Sequence, residues 1–375
     1  MSYGGEGMHE ASQPGLFEDV WAQVLALLAI VSGMFSAHYL VTRGYVPKTA
    51  PLPITEKATQ FKTTVKTALY APNPRMPGHW VVDAGGGPDA DTSTLGAALS
   101  GAKDGDTFTI KPGIYREGLF INRAVTLQGA GQTPDQVEII SAGAQTIGLS
   151  TGRAALRNLS ITNTGNREQW VVVAAKARLV LDKVRMRSAG QGVRCVDSDL
   201  DVADSDLDAR ITLSVEGKSK VRVQRSRLSG EQTAVAASGG GADVTLSDSR
   251  VQDSRGTGVD ASRFARVRVT DSTISGNSSA AVLALSGAEV RVTGGSIRDN
   301  RDCAVRLDGS LVVLEKVSVT KNRCGAGFLG PATLEANGST FSDLTLGPLA
   351  IKPGLEDVVT VRGSGNQGFD IPAKR

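Results

Sequence analysis

The chain has 375 residues, with 41 basic and 38 acidic residues, a net charge of +3, 44 glycines and only 5% aromatic residues. This balanced charge provides no basic surface of the kind that binds nucleic acid. Three cysteines without CxxC spacing and only three histidines argue against a zinc site or a His-dependent nucleophile, so any catalysis would use carboxylates, amides or arginines.

The N-terminal segment has the pattern of a membrane anchor. Residues 1–19 are polar, lack Lys and Arg, and are expected to be disordered. Residues 20–42 (VWAQVLALLAIVSGMFSAHYLVT) carry no formal charge, and a helix of about 23 residues spans a hydrocarbon core of about 30 Å. We therefore predict a single transmembrane helix at 20–42. A buried helix of a soluble core and a cleaved signal peptide are the alternatives.

Residues 43–79 have the composition of a linker, because six prolines lie between positions 47 and 77. Basic residues follow the apolar segment, beginning with Arg43 and Lys48, and none precedes it. The positive-inside rule therefore favours a cytoplasmic location for the C-terminal domain.

From residue 80 to residue 375 the chain repeats itself with a period of 21 to 25 residues. Short alternating strands, bounded by Gly, Asn, Asp or Ser, fill each repeat, and alternation directs Val267, Val269 and Ile274 inward. One apolar position marks each of nine repeats: Ile161, Met186, Leu207, Leu228, Val251, Ile274, Ile297, Val319 and Phe341.

A repeat this short cannot shield its own apolar face, so it must stack on its neighbours. Leucine-rich repeats need a different leucine frame with helical returns, and propeller blades need about 40 residues. The pattern therefore predicts an all-β fold, a right-handed parallel β-helix of about 11 turns. A short helix at Thr92–Ala102 is expected to cap its first turn, and residues 353–375 its last.

Two further patterns recur from turn to turn. Asn277, Asn300 and Asn322 each fall three residues after the apolar marker, and we interpret them as a structural ladder of stacked amides at left-handed corners. Cys303 and Cys324 occupy matching positions in adjacent turns. Buried free thiols are the favoured interpretation, and a disulfide, which requires an oxidising compartment, is the alternative.

The segment from Trp80 to Ser141 resembles the opening of pectin methylesterases and related pectin-lyase-like β-helix proteins. The resemblance rests on a short "TLGAAL" helix, a K-P-G-x-Y-x-E run and a later G-A-G. It marks the fold rather than a reaction. The matching residues are Lys111, Pro112, Gly113, Tyr115, Glu117, Gly129 and Gly131.

The resemblance implies chemistry in which one carboxylate attacks a methyl ester, a second acts as acid and base, and glutamine amides form an oxyanion hole. Gln169 and Gln191 match the glutamines, but Gly192 stands where the family has an aspartate. Asp197 and Asp199 are the nearest candidate carboxylates, and the downstream catalytic motifs of the family are absent. No catalytic residue is therefore expected, since losing one typically costs orders of magnitude in rate.

These observations favour a membrane-anchored, non-catalytic β-helix that binds a glycan or a protein partner along its lateral face. The alternative is an esterase or polysaccharide lyase acting on an acidic polysaccharide, and a lesser one is a membrane assembly subunit.

No cofactor or metal is expected, although the acidic run 197–208 is a candidate for Ca²⁺. A row of outward arginines, Arg222, Arg268 and Arg291, is interrupted by Thr245. Carbohydrate-active relatives are usually exported, which opposes the positive-inside rule and leaves the side of the membrane open.

Overall fold

The structure is a computed structural model that describes residues 74–370, within a compact unit spanning Tyr70–Arg375. The predicted disordered segment 1–19, the predicted transmembrane helix 20–42 and nearly all of the predicted linker 43–79 lie outside the described residues. Within 74–370 no helix combines the length and the apolar character that a bilayer crossing requires.

The described chain coils into a parallel β-helix with three faces, here called A, B and C. Face A is a parallel sheet of 13 strands, of which the first and last extend beyond the complete turns. Its strands are His79–Val82, Thr107–Ile110, Val125–Gly129, Arg153–Arg157, Arg178–Asp182, Asp199–Ala203, Lys220–Gln224, Asp243–Ser247, Arg266–Thr270, Glu289–Thr293, Leu311–Glu315, Thr333–Asn337 and Thr360–Ser364.

Faces B and C each contribute one strand to every turn, which gives 11 complete turns and confirms the prediction of about 11. Face B contains Gly113–Arg116, Val137–Ser141, Ser160–Asn163, Arg185–Arg187, Arg250–Gln252, Thr273–Ser275, Ser296–Arg298, Ser318–Thr320 and Thr340–Ser342. Face C contains Leu119–Ile121, Gln145–Ser150, Trp170–Ala175, Gln191–Val196, Thr257–Ser262, Val282–Leu285, Val305–Asp308, Ala326–Phe328 and Leu349–Ile351. Asp206–Glu216 and Arg227–Ser238 run through both faces.

These two long strands differ from the short strands expected throughout. Asp206–Glu216 has 11 residues and Arg227–Ser238 has 12, and the chain passes from face B to face C within each of them. Their pairing contains a register shift between Ala209 and Ile211. Such a bulge bends a strand locally, so these turns make the B–C corner without a separate loop.

The nine apolar markers form one continuous column through the core, as predicted. Each pairs in register with the next on face B, for example Ile274 with Ile297 and Ile297 with Val319. All nine are buried, and each such side chain contributes roughly 1.5–3 kcal/mol by leaving water. Stacking therefore supplies the core that a single turn lacks.

Both ends of the core are covered. Helix α1, Leu95–Gly101, buries Leu95 and Ala98 at the first turn, and the Thr94 side chain caps it by accepting from the amide of Ala97. A short 3₁₀ turn, Pro134–Gln136, precedes the second face-B strand. At the other end Phe369 packs edge-on against Phe341, with ring centres 4.8 Å apart.

The corner between faces A and B carries a ladder of buried serines that the sequence analysis did not predict. The hydroxyl of Ser249 accepts from the amide of Ser226 and donates to the carbonyl of Ser247, and Ser272 repeats the pattern one turn on. The residue before each serine is left-handed, for example Asp248 with φ 49°. That conformation costs about 1–2 kcal/mol for a non-glycine residue, and the ladder bonds offset it.

Candidate functional site

The K-P-G-x-Y-x-E run that carries the family resemblance holds the N-terminal cap in place. The carboxylate of Glu117 accepts from the first two amides of α1, at Leu95 and Gly96, each at 2.7 Å. The Tyr115 hydroxyl donates to the carbonyls of Val82 and Lys111, and burial raises its pKa to about 12. These groups satisfy buried backbone atoms and leave nothing directed at a ligand.

The remaining residues of this run serve close packing. The backbone amide of Lys111 donates to the carbonyl of Val82. Pro112 then leads directly into the strand that begins at Gly113. A side chain at Gly129 would place its Cβ 2.0 Å from the carbonyl oxygen of Asn158. At Gly131 a Cβ would meet the side chain of Gln136 at 2.7 Å. Both glycines therefore allow backbone contacts that larger residues would block.

The three asparagines stack inside the B–C corner of the later turns. Asn277 donates its side-chain amide to Oδ1 of Asn300 at 2.8 Å, and Asn300 donates to Oδ1 of Asn322 at 2.8 Å. The expected left-handed backbone lies one residue earlier, at Gly276, Asp299 (φ 57°) and Lys321 (φ 54°). The asparagine side-chain oxygen accepts from a backbone amide of the preceding turn, while the residue before the asparagine makes the bend.

The structure joins Cys303 and Cys324 in a disulfide, which corrects the expectation of free thiols. Their Cα atoms are 4.3 Å apart in consecutive turns, and both residues are buried. Parallel stacking brings matching positions of adjacent turns together, and that is why the pair meets. Cys195 is a buried free thiol whose pKa burial raises to about 12, so it is unreactive.

The candidate catalytic residues do not converge. Gln191 is buried at the start of a face-C strand, whereas Asp197 follows the end of that strand, about 20 Å along the chain, and Asp199 begins the next strand on face A. Asp197 accepts from the amide of Lys218 at the C–A corner. The side chain of Gln169 accepts from the amide of Asn166 and closes a local turn. The arrangement of amides and carboxylate that the esterase resemblance implies is therefore not formed by these four residues.

Gln191 instead contacts Arg210, which lines a charged cleft at the B–C corner of the earlier turns. This B–C cleft is open, has a volume of about 480 Å³, and is lined by residues of four turns. It is lined by Arg167, Glu168, Arg210, Glu231, Gln232, Arg255 and Gly256.

Arg210 is the centre of this cleft. The side-chain amide of Gln191 turns its oxygen toward Arg210, and the guanidinium donates to this Oε1 at 3.0 and 2.6 Å. The guanidinium also donates to Oε1 of Gln232 at 2.9 Å. It also approaches the carboxylate of Glu168 at 3.4 Å. Only 24% of the Arg210 side chain is exposed, which makes it the most buried cation of the cleft.

The second ion pair of the cleft joins Arg167 and Glu231. The hydrogen bond from Arg167 holds the pKa of Glu231 below its usual value, and the charges of Arg255 and Arg210 lower it further. Glu231 therefore stays ionised across the physiological range. Three arginines face two glutamates, so the cleft carries a small excess of positive charge.

The acidic run 197–208 is spread over two faces and two corners. Asp201 pairs with Arg222, Asp204 with Arg225, and Asp206 with Arg187 and Arg227. Between residues 74 and 370 no three His, Cys, Asp or Glu side chains gather as a metal site requires.

The outward arginine row lies on face A in the predicted column, with Thr245 between Arg222 and Arg268. Arg222, Arg268 and Arg291 form ion pairs with Asp201, Asp243 and Glu315. These pairs neutralise the row, so the B–C cleft is the stronger candidate for binding an anionic or hydroxylated ligand.

Comparison with known proteins places this architecture. A family model described as "Right handed beta helix region" matches residues 211–350. The catalytic domain of a GH87 α-1,3-glucanase aligns in complexes with tetrasaccharides (TM-score 0.51, 11% identity) and with nigerose (TM-score 0.50, 12% identity), each over 80% of this chain and 70% of the other. Pectate lyase Pel9A aligns with TM-score 0.48 and 10% identity over 77% of this chain and 78% of its own. No curated protein matches the chain.

The fold defines a parallel β-solenoid with a polar cleft on one lateral corner. The chain folds as a right-handed parallel β-helix. At these sequence identities the structural likeness establishes the fold alone. The function has to be argued from the residues of the B–C cleft.

Proposed function

We propose that the protein is a membrane-anchored β-helix that binds a glycan in the B–C cleft without cleaving it. The observation that carries the proposal is the set of planar polar groups that line one open cleft around Arg210: one amide, two carboxylates and three guanidinium groups. Such groups donate to and accept from the hydroxyls of a sugar. The two α-1,3-glucanase structures that share the fold hold saccharides, which makes glycans the first ligand class to test.

The state of the carboxylates supports binding over turnover. A general acid needs a pKa near the working pH, whereas Arg167 lowers the pKa of Glu231. Glu168 lies largely in solvent, with 79% of its side chain exposed. The membrane anchor in this proposal rests on the uncharged segment 20–42.

The alternative, a carbohydrate-active enzyme, is favoured by one observation. Asp260 is a half-buried carboxylate on face C, and burial raises its pKa. Its neighbours in register are Ala236 and Leu283, so its surroundings are apolar. A carboxyl group of this kind is a candidate general acid.

Glycan binding and turnover are separated by screening the purified full-length protein against neutral glucans, methyl-esterified pectin and polyuronates, with and without Ca²⁺. We expect binding without product, and at least tenfold weaker binding for Arg210→Ala. Arg222→Ala is the matched control, since Arg222 is also ion-paired but lies on face A. It should bind as the wild type does.

Three results would overturn the proposal. Product formation that is lost in Asp260→Asn or Gln191→Ala would make the protein an enzyme. Equal binding by the Arg210→Ala and wild-type proteins would move the ligand away from the B–C cleft. If no glycan binds, but a protein partner is captured through the cleft and lost with Arg210→Ala, the glycan is the wrong ligand class.

A further inference from the structure

The disulfide between Cys303 and Cys324 bears on where the β-helix domain resides. Both cysteines follow the asparagine ladder in the B–C corner, in consecutive turns, and are separated by 21 residues in sequence. Both are buried, so neither is available to a partner molecule.

The backbone holds the two cysteines in register on both sides. Before them, the amide of Asn300 donates to Oδ1 of Asn322 at 3.1 Å. After them, the amide of Ala304 donates to the carbonyl of Cys324 at 2.8 Å. Folding therefore places the two sulfur atoms against each other without any rearrangement of the chain.

The surrounding packing leaves space for the bridge. A Cβ at Gly327 would lie only 2.9 Å from the Cys303 sulfur, so glycine at this position accommodates it. The third cysteine, Cys195, lies on face C and is free. The fold thus pairs two of the three thiols and separates the other.

We propose that Cys303–Cys324 is a structural cross-link between two turns and that the β-helix domain lies on the external, oxidising side of the membrane. Disulfides persist in exported proteins and are rare in reducing cytosol. This orientation is opposite to the one favoured by the basic residues after position 42. The proposal rests on the membrane anchor of the proposed function but not on glycan binding, because the disulfide lies in a different part of the B–C corner.

The bond is tested on the full-length protein in its producing cells. Cells are quenched with acid, free thiols are blocked with N-ethylmaleimide in denaturant, and the sample is then reduced and treated with a maleimide-polyethylene glycol. We expect two polymer additions for the wild type and for Cys195→Ser. Cys303→Ser and Cys324→Ser should each give none, because the remaining partner is blocked in the first step. A wild-type protein with no polymer addition would overturn the proposal.

The side of the membrane is tested separately by fusing to the C-terminus a reporter enzyme that is active only outside the cytoplasm. We expect activity in the fusion to the full-length chain. Activity of a matched reporter that works only in the cytoplasm would contradict the proposal, whatever the labelling result. Since both experiments use the wild-type β-helix, neither depends on whether a cysteine variant folds.

Discussion

The same B–C corner is built in two different ways along the β-helix. In the earlier turns, from about residue 165 to 256, charged and amide side chains line an open cleft around Arg210. In the later turns, from residue 277 to 324, the corner is closed by stacked buried asparagines and a disulfide. The backbone architecture is shared, so the side chains determine whether a corner forms an open cleft or a closed, stabilising contact between turns.

The difference follows from how each half satisfies its backbone. A buried asparagine provides a donor and an acceptor to the adjacent turns and seals the corner from water. The long strands Asp206–Glu216 and Arg227–Ser238 pass through the corner, where hydrogen bonds between strands satisfy the backbone in place of asparagine side chains. The side chains at this corner can therefore point outward. A solenoid can therefore vary its surface without changing its core.

The largest expected effect is in the closed half. Asn300→Asp keeps the shape but removes the donors to Asn322, Ile274 and Arg298, and places a carboxylate oxygen against these acceptors. We expect a loss of about 3 to 4 kcal/mol in the free energy of unfolding, measured by urea denaturation.

Asn337→Asp is the matched control for that substitution. The Asn337 side chain accepts from the amide of Ser364 in an exposed position, and an aspartate can do the same. We expect a change below about 0.5 kcal/mol. Equal losses of unfolding free energy for the two variants would show that the buried asparagine ladder does not stabilise the fold more than an exposed asparagine does.

A smaller loss is expected at the serine ladder. Ser249→Ala leaves the amide of Ser226 and the carbonyl of Ser247 without their side-chain partner. The cost should be about 1 to 2 kcal/mol in urea denaturation. Ser296→Ala, on the half-buried outer surface of face B, should cost much less, and a reversed order would contradict the role given to the corner serines.

In the open half, stability and binding should separate. Arg210→Ala removes a cation that is held by side chains and no backbone ladder bond, so the free energy of unfolding should fall by about 1 kcal/mol or less. A loss of unfolding free energy as large as that of Asn300→Asp would mean that the cleft residues stabilise the fold. Thermal denaturation of both variants makes the comparison.

The smallest expected effect is a pH dependence confined to the ion-paired turns. Two hydrogen bonds from Arg194, each 2.9 Å, hold the pKa of Glu216 below its usual value. A carboxyl whose pKa is lowered by folding stabilises the protein above its unfolded pKa, and that contribution is lost as the pH falls through the folded value. As the pH falls below the usual pKa of a glutamate, the wild type should therefore lose stability faster than Glu216→Gln. Parallel curves would contradict the role of this pair.

The sequence predicted the core far better than the cleft, for a physical reason. Ile274, Ile297 and Val319 share one position in their turns and one environment, so their spacing alone placed them in a column. Arg210 and Glu231 lie at a corner where the length of the connection changes from turn to turn, and periodicity cannot align them. The continuous alternation from Asp206 to Glu216 was the signal that could have shown a strand crossing that corner.

The hydroxyl ladder was missed for another reason. Serine at the corner was visible in the repeat, but serine is also the commonest kind of loop residue, so its presence did not single out a buried role. Asparagine is a rarer residue with two hydrogen-bonding functions, and three at matching positions indicated stacking.

Hydrogen–deuterium exchange of the full-length protein, read by mass spectrometry, tests the contrast between the two halves most directly. The amides of Asn277 and Asn300 donate to buried asparagine oxygens of the next turn. The amides of Asn166 and Glu168 donate to side chains of their own exposed loop. We expect peptides covering 277–304 to exchange at least a hundredfold more slowly than peptides covering 164–169. Equal rates, or faster exchange at 277–304, would contradict the account.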